Sequence, residues 1–141
     1  MCGILGYYAS EVGQIGHLYR GLALLRHRGP DDSGTFISPH GLVGLAHARL
    51  AIQDLSPLGH QPMLCDDGSV ALVFNGEIYN FRELRAELEA GGECFIGHSD
   101  TEVLIRLLLA TRDQDSPALA VRRLNGIFAF ALWDYSRELL W

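Results

Sequence analysis

Apolar and polar positions change their spacing several times along the chain, and each change marks an element. Residues 2–8, CGILGYY, form a short apolar run set among glycines, the pattern of a buried strand. Ile15, Leu18, Leu22 and Leu25 then recur at helical spacing, which predicts an amphipathic helix from about Gln14 to His27, stopped by Gly29-Pro30. The stretches GTFIS and GLVGLAHARLAI read as two strands joined at Pro39-His40-Gly41, and DLSPLGHQPMLCDDG as a turn-rich loop. SVALVFNGEIYN predicts a strand ending in a tight turn at Asn75-Gly76.

A second helix is expected after that turn, with Asn80 and Glu83 as a capping box and Phe81, Leu84 and Leu88 on one face. Ser99 with Glu102 caps a third, carrying Val103, Leu104, Leu107 and Leu108. Ser116-Pro117 marks a further start, with serine as N-cap and proline at the first helical position. GIFAFALWD is apolar on both faces, Phe128, Phe130 and Leu132 on one and Ile127, Ala129, Ala131 and Trp133 on the other, so it should be covered on both sides. In RELLW a last strand begins after a turn at Tyr135 to Arg137. This mixture suggests two packed sheets with helices outside, or one sheet with helices on one side.

With 141 residues the chain suits one domain. A composition 48% hydrophobic and 20% charged is globular rather than disordered. A net charge of -6 and a single short basic cluster, Arg26-His27-Arg28, argue against a nucleic-acid partner. No apolar run approaches the ~20 residues of a membrane span, and no signal-peptide pattern opens the chain. Cys2, Cys65 and Cys94 form no CxxC pair, which fits a reducing cytoplasm better than a disulfide framework. His17, His40 and His60 read as surface or loop residues, and no metal site or nucleotide loop is predicted.

Candidate chemistry begins at the first cysteine. Removing Met1 would leave a thiol and a free α-amine on one residue, two groups whose reference pKa values both lie near ~8. The plainer reading is a small buried hydrophobe at a strand start. RHRGPDDSG, taken alone, is a helix stop whose basic residues complement the helix dipole. In HARLAI, Arg49 could clamp a carboxylate or simply be an ion-paired arginine. In FNGEIYN, the side-chain amide of Asn75 and the N–H of Gly76 could face an oxyanion, or form a turn. In HSDTE, Asp100 could hold an ammonium or favour a first helical turn, and Glu102 is structural.

Taken together and in order, MCGILG, RHRGPDDSG, HARLAI, NGEIYN and SDTE resemble the glutaminase domain of glutamine-dependent asparagine synthetases, class II amidotransferases with an N-terminal nucleophile. The resemblance implies an α+β fold, a four-layer sandwich of two antiparallel sheets flanked by helices. It implies a type 2 glutamine amidotransferase domain over residues 2–141, truncated at its C-terminus, with the ATP-binding synthetase domain absent. Cys2, once Met1 is removed, would attack the glutamine side-chain amide, with its own α-amine as base. Asn75 and Gly76 would stabilise the oxyanion and Arg49 would hold the α-carboxylate. Asp100 with Glu77 would hold the α-ammonium, and Leu50, Ile52 and Gln53 would contact the substrate.

The resemblance further implies glutamine and a synthetase domain, in cis or in trans, as partners, with a homodimer compatible. ATP and magnesium belong to the synthetase domain and not to this chain. Ending at Trp141 is expected to expose a sheet edge and part of the core. Two alternatives stand beside the glutaminase: a non-catalytic relic or binding module, and a glutaminase half serving a different acceptor.

Overall fold

A computed structural model describes residues 2–112 and 117–141. Met1 and the predicted N-cap Ser116 lie outside them. The chain divides into two compact units, one of Met1–Ala51, His60–Asn75 and Ala129–Trp141, the other of Ile52–Gly59 and Gly76–Phe128.

The first unit is a sandwich. Strands β1 (Gly3–Tyr8), β2 (Asp32–Ile37) and β3 (Val43–Arg49) form an antiparallel sheet in the order β1-β3-β2. Its second sheet has the order β4-β5-β6-β7, from β4 (Met63–Leu64), β5 (Val70–Ile78), β6 (Gly126–Asp134) and β7 (Leu139–Leu140). β5 and β6 each run on into the other unit. The β4–β5 and β6–β7 pairs are antiparallel.

β3 is buried along its whole length because it is central in its sheet and covered on both faces. On one face Val43 and Leu45 join Ile4 and Phe36 against Ala71, Val73, Ala131 and Trp133 of the second sheet. Helix α1 (Ile15–Leu24) lies against β1 and β3. It closes three residues before the expected His27, in a turn where Arg26 and Arg28 donate to the carbonyls three residues back.

The predicted β2–β3 hairpin forms, with Ser38 N–H donating to the Val43 carbonyl and Val43 N–H to Ser38 Oγ. The stretch expected to be loop contains a 3-10 turn at Pro57–Gly59 as well as β4.

Helices α2 (Phe81–Ala90), α3 (Asp100–Ala110) and α4 (Ala118–Val121) belong to the second unit, where α3 packs on both α2 and α4. Leu84 and Leu88 are buried as their spacing predicts, as are Val103, Leu104, Leu107 and Leu108. The capping box at Asn80 does not form. Its side chain donates instead to the Arg123 carbonyl and accepts from Asn125 N–H, bonds to another segment that outweigh a local cap. Pro117 takes the N-cap place of α4 rather than the first helical position.

Ser99 does cap α3, accepting the Glu102 N–H at 3.2 Å. Glu102 does not close the box; its carboxylate takes the N–H groups of Ile96 and Gly97 at 2.7 and 2.8 Å. A Ser99→Ala variant should therefore lose about 1 kcal/mol of stability, read as a lower urea midpoint at unchanged slope.

Two expectations about strands fail. β5 does not turn at Asn75-Gly76 but continues to Ile78. A Cβ built on Gly76 would meet the Ile127 carbonyl oxygen at 2.4 Å and Phe128 Cα at 2.5 Å, so glycine serves close approach to β6 here instead of a tight turn. β6 is not covered on both sides, since Ile127 is 72% exposed and Ala129 is exposed. The sandwich core reaches only its later part, where Ala131 and Trp133 join. β7 pairs with β6 as RELLW predicts, forms the end of its sheet and leaves Leu139, Leu140 and Trp141 exposed. No helix among the described residues is long and apolar enough to cross a membrane.

Candidate active site

Strand alternation sets the direction of the candidate side chains in the first unit. Ile4 lies in the inter-sheet core, so Cys2, two residues earlier, continues that inner face. Val43 and Leu45 put His47 and Arg49 on the inner face of β3, and Ala71 and Val73 put Asn75 on that of β5. The β1–β3 register pairs Gly3 with Ala48, bringing Cys2 beside the end of β3. His47 meets the Phe74 carbonyl at 3.2 Å, which brings the Asn75 end of β5 to the Arg49 end of β3. Three sequence-predicted residues, Cys2, Arg49 and Asn75, thus occupy one end of one sandwich.

Cys2 is half-buried, and Leu50 N–H donates to its Sγ at 3.3 Å, with the Leu50 carbonyl 3.6 Å away. Arg28 Nε donates to the Cys2 carbonyl at 2.9 Å. Arg49 is buried with its Nη1 4.0 Å from Asp32 Oδ2. His60 Nδ1 also meets Asp32 Oδ2, at 2.7 Å. Burial alone would raise the Asp32 carboxyl, but His60, the Ser33 N–H and Arg49 together hold it below the ordinary value. Among the described residues nothing donates to the buried Asn75 Oδ1, an unsatisfied group of the kind that calls for an explanation.

RHRGPDD is more than a helix stop. A Cβ on Gly29 would sit 2.2 Å from the Ala48 carbonyl oxygen, so only glycine lets the turn lie on the end of β3. Asp31 then accepts the Ala51 N–H at 2.9 Å and Asp32 stands opposite Arg49. Sequence reading missed Arg28, Asp31 and Asp32 as supports of Cys2 and the Arg49–Ala51 segment. It also missed His47, although a histidine at an inward position of an otherwise apolar strand was a visible signal. Nothing in the sequence marked Gln61.

The second unit gathers another group. Asp100, at the start of α3, is 5% exposed and accepts the Ile78 N–H at 3.0 Å. Burial pushes its carboxyl up, backbone N–H groups oppose this, and Glu77 adds to the rise. Gln53 Nε2 donates to Glu77 Oε1 at 3.1 Å, and both residues are exposed, as is Ile52. Gly76 N–H belongs to the row of β5 groups facing away from β6, in which Ile78 is held by Asp100. Among the described residues nothing pairs with Gly76 in that row.

Two antiparallel sheets with helices match the fold of an N-terminal nucleophile amidotransferase of known structure. Glutamine phosphoribosylpyrophosphate amidotransferase from B. subtilis, complexed with ADP and GMP, has a similar structure with TM-score 0.79 and 25% identity. The match covers 96% of this chain and 35% of that one. Residues 1–141 match the family model described as glutamine amidotransferase domain, and the chain belongs to that family. It is 41% identical over 145 residues to asparagine synthetase (glutamine-hydrolyzing) 3 of Bacillus subtilis strain 168, covering 99% of this chain and 22% of that protein. Amidase chry2 of Gibberella zeae is 41% identical over 119 residues, 84% of this chain and 17% of that protein. The chain thus spans about a fifth of the length of these relatives.

Proposed function

We propose that this chain hydrolyses glutamine to glutamate and ammonia as the glutaminase part of an asparagine-synthetase-like enzyme. The observation that carries this reading is the placing of Cys2, with a backbone donor on its sulfur, beside Arg49 at one end of the sandwich. Once Met1 is removed, the Cys2 α-amine takes the thiol proton and Sγ attacks the side-chain amide carbon of glutamine. Asn75 and Gly76 supply hydrogen-bond donors to the oxyanion that develops. The ammonium returns its proton to the leaving nitrogen, the C–N bond breaks, and ammonia departs from a γ-glutamyl thioester. Water, deprotonated by the same amine, then releases glutamate and regenerates the thiol.

Arg49 matches an α-carboxylate through its planar donor fork. Asp100 and Glu77 match an α-ammonium, and Leu50, Ile52 and Gln53 contact the bound amino acid. Ammonia passes to a synthetase domain, in cis or in trans, that uses ATP and magnesium to amidate aspartate. The amidase relative supports a second reading, in which the same half-reaction feeds a different acceptor.

The test is glutamate release from glutamine by protein whose Met1 loss is confirmed by mass. Turnover at saturable glutamine is the expected result. A folded, Met1-free chain that binds glutamine without releasing glutamate would instead identify a binding module.

A further inference from the structure

Alternate residues of β5 direct both their N–H and C=O groups away from β6. Val70 donates to Cys65 Sγ at 3.0 Å and its carbonyl accepts from Cys65 N–H; Leu72 stands opposite Met63. The same register puts Gln61 opposite Phe74. Pro62 has no N–H, and β4 ends at Met63. At Phe74, side chains take over from the ladder. Gln61 Oε1 accepts the Phe74 N–H at 2.7 Å, and His47 Nε2 donates to the Phe74 carbonyl at 3.2 Å.

Gln61 is 5% exposed and His47 fully buried. A carbonyl can only accept, so the His47 proton is on Nε2, and Nδ1 is left buried with no partner among the described residues. Two buried polar side chains from separate segments therefore meet at one residue. The Phe74 carbonyl shares its peptide plane with the Asn75 N–H, so holding it fixes the rotation from which the Asn75 side chain starts.

We propose that Gln61 and His47 are positioning residues for glutamine hydrolysis, clamping Phe74 so that the Asn75 amide is held where the oxyanion forms. The inference rests on the glutaminase reading above. An oxyanion contact strengthens in the transition state, so loosening its support lowers kcat and leaves KM nearly unchanged. A merely structural pair would lower stability without that split.

The experiment compares Gln61→Met, which keeps the volume and removes the strong acceptor, with Gln61→Glu, which keeps an acceptor oxygen. Both are made in the full, Met1-free chain. Gln61→Met should lower kcat for glutamate release by roughly 10- to 100-fold with KM within ~3-fold, and Gln61→Glu should recover most of the loss. Hydrogen exchange at the Phe74 amide should accelerate in Gln61→Met and not in Gln61→Glu. Unchanged kcat in folded Gln61→Met, or equal losses in both variants, would overturn the clamp while leaving the glutaminase reading intact. No turnover by the parent would overturn both. Should Gln61→Met not fold, His47→Phe against His47→Gln asks the same question of the carbonyl side, with rescue by glutamine as the expected result and equal activity in the two variants as the overturning one.

Discussion

Cys2→Ala is expected to lower glutamate release by at least about 1,000-fold, to the background of the assay, while leaving the chain folded. The reaction needs a nucleophile at one place, and neither other cysteine can stand in. Cys65 is bound into the turn before β5, donating to Asp67 and accepting from Val70, and Cys94 is exposed after α2. Alanine removes Sγ but retains the α-amine, Arg49 and the backbone that holds them. Glutamine should therefore still bind and raise the unfolding free energy, by about 2.7 kcal/mol at 100 times its dissociation constant. A chain carrying two extra residues before Cys2 separates the thiol from the amine. Its sulfur is intact, but its nitrogen is an amide without basicity, and it should be as inert as Cys2→Ala. Undiminished hydrolysis by Cys2→Ala would sink the proposed mechanism; full activity of the extended chain would remove the amine from it and leave the sulfur.

How much of this was legible in the sequence depended on the range of the interactions. Period-3.6 spacing placed α1 and α3, and apolar runs placed β1 and β3, because burial is written into residue spacing and type. The Ser99 cap was readable since it closes within three residues. Errors arose where a distant segment outcompeted a local motif. Asn75-Gly76 looks like a tight turn until β6 is present to pair with it, and Asn80 looks like a cap until Arg123 and Asn125 offer better bonds.

The candidate site divides in the same way. Cys2, Arg49, Asn75 and Asp100 were found through ordered short motifs whose residue types match one chemistry. Their supports were not, because Arg28 reaches Cys2 across 26 residues, and Asp31 reaches Ala51 across 20. Gln61 is a buried polar residue inside a turn-rich stretch that gives no periodicity to read. A sequence displays candidate chemical groups more readily than the distant contacts that hold them.

Acidification from pH 7 to 4 is expected to destabilise the chain through His47 alone by about 3 kcal/mol. Burial lowers the His47 pKa from 6.5 to about 4; the Phe74 carbonyl opposes this, Arg49 adds to it, Asp32 opposes it and His60 adds a little. Protonation would put a second N–H at Nδ1, where the described structure offers no acceptor. The unfolded chain, with an ordinary histidine, binds this proton from about pH 6.5 downward, whereas the folded chain resists it until about pH 4. Stability thus falls as pH falls through that window, and the loss is complete below it. Asp100 works in the opposite sense, because its raised carboxyl takes up a proton more readily when folded, and Asp32 adds a loss only below the ordinary carboxylate range. A loss near 3 kcal/mol is a large share of the ~5–15 kcal/mol that holds a domain folded. Urea melts at half-unit pH steps should show it in the parent, and His47→Gln should flatten the curve between pH 6.5 and 4 even if its stability at pH 7 is lower. An equal slope in both proteins would assign the acid sensitivity to other groups, and an NMR titration of His47 near its ordinary value would remove its cause.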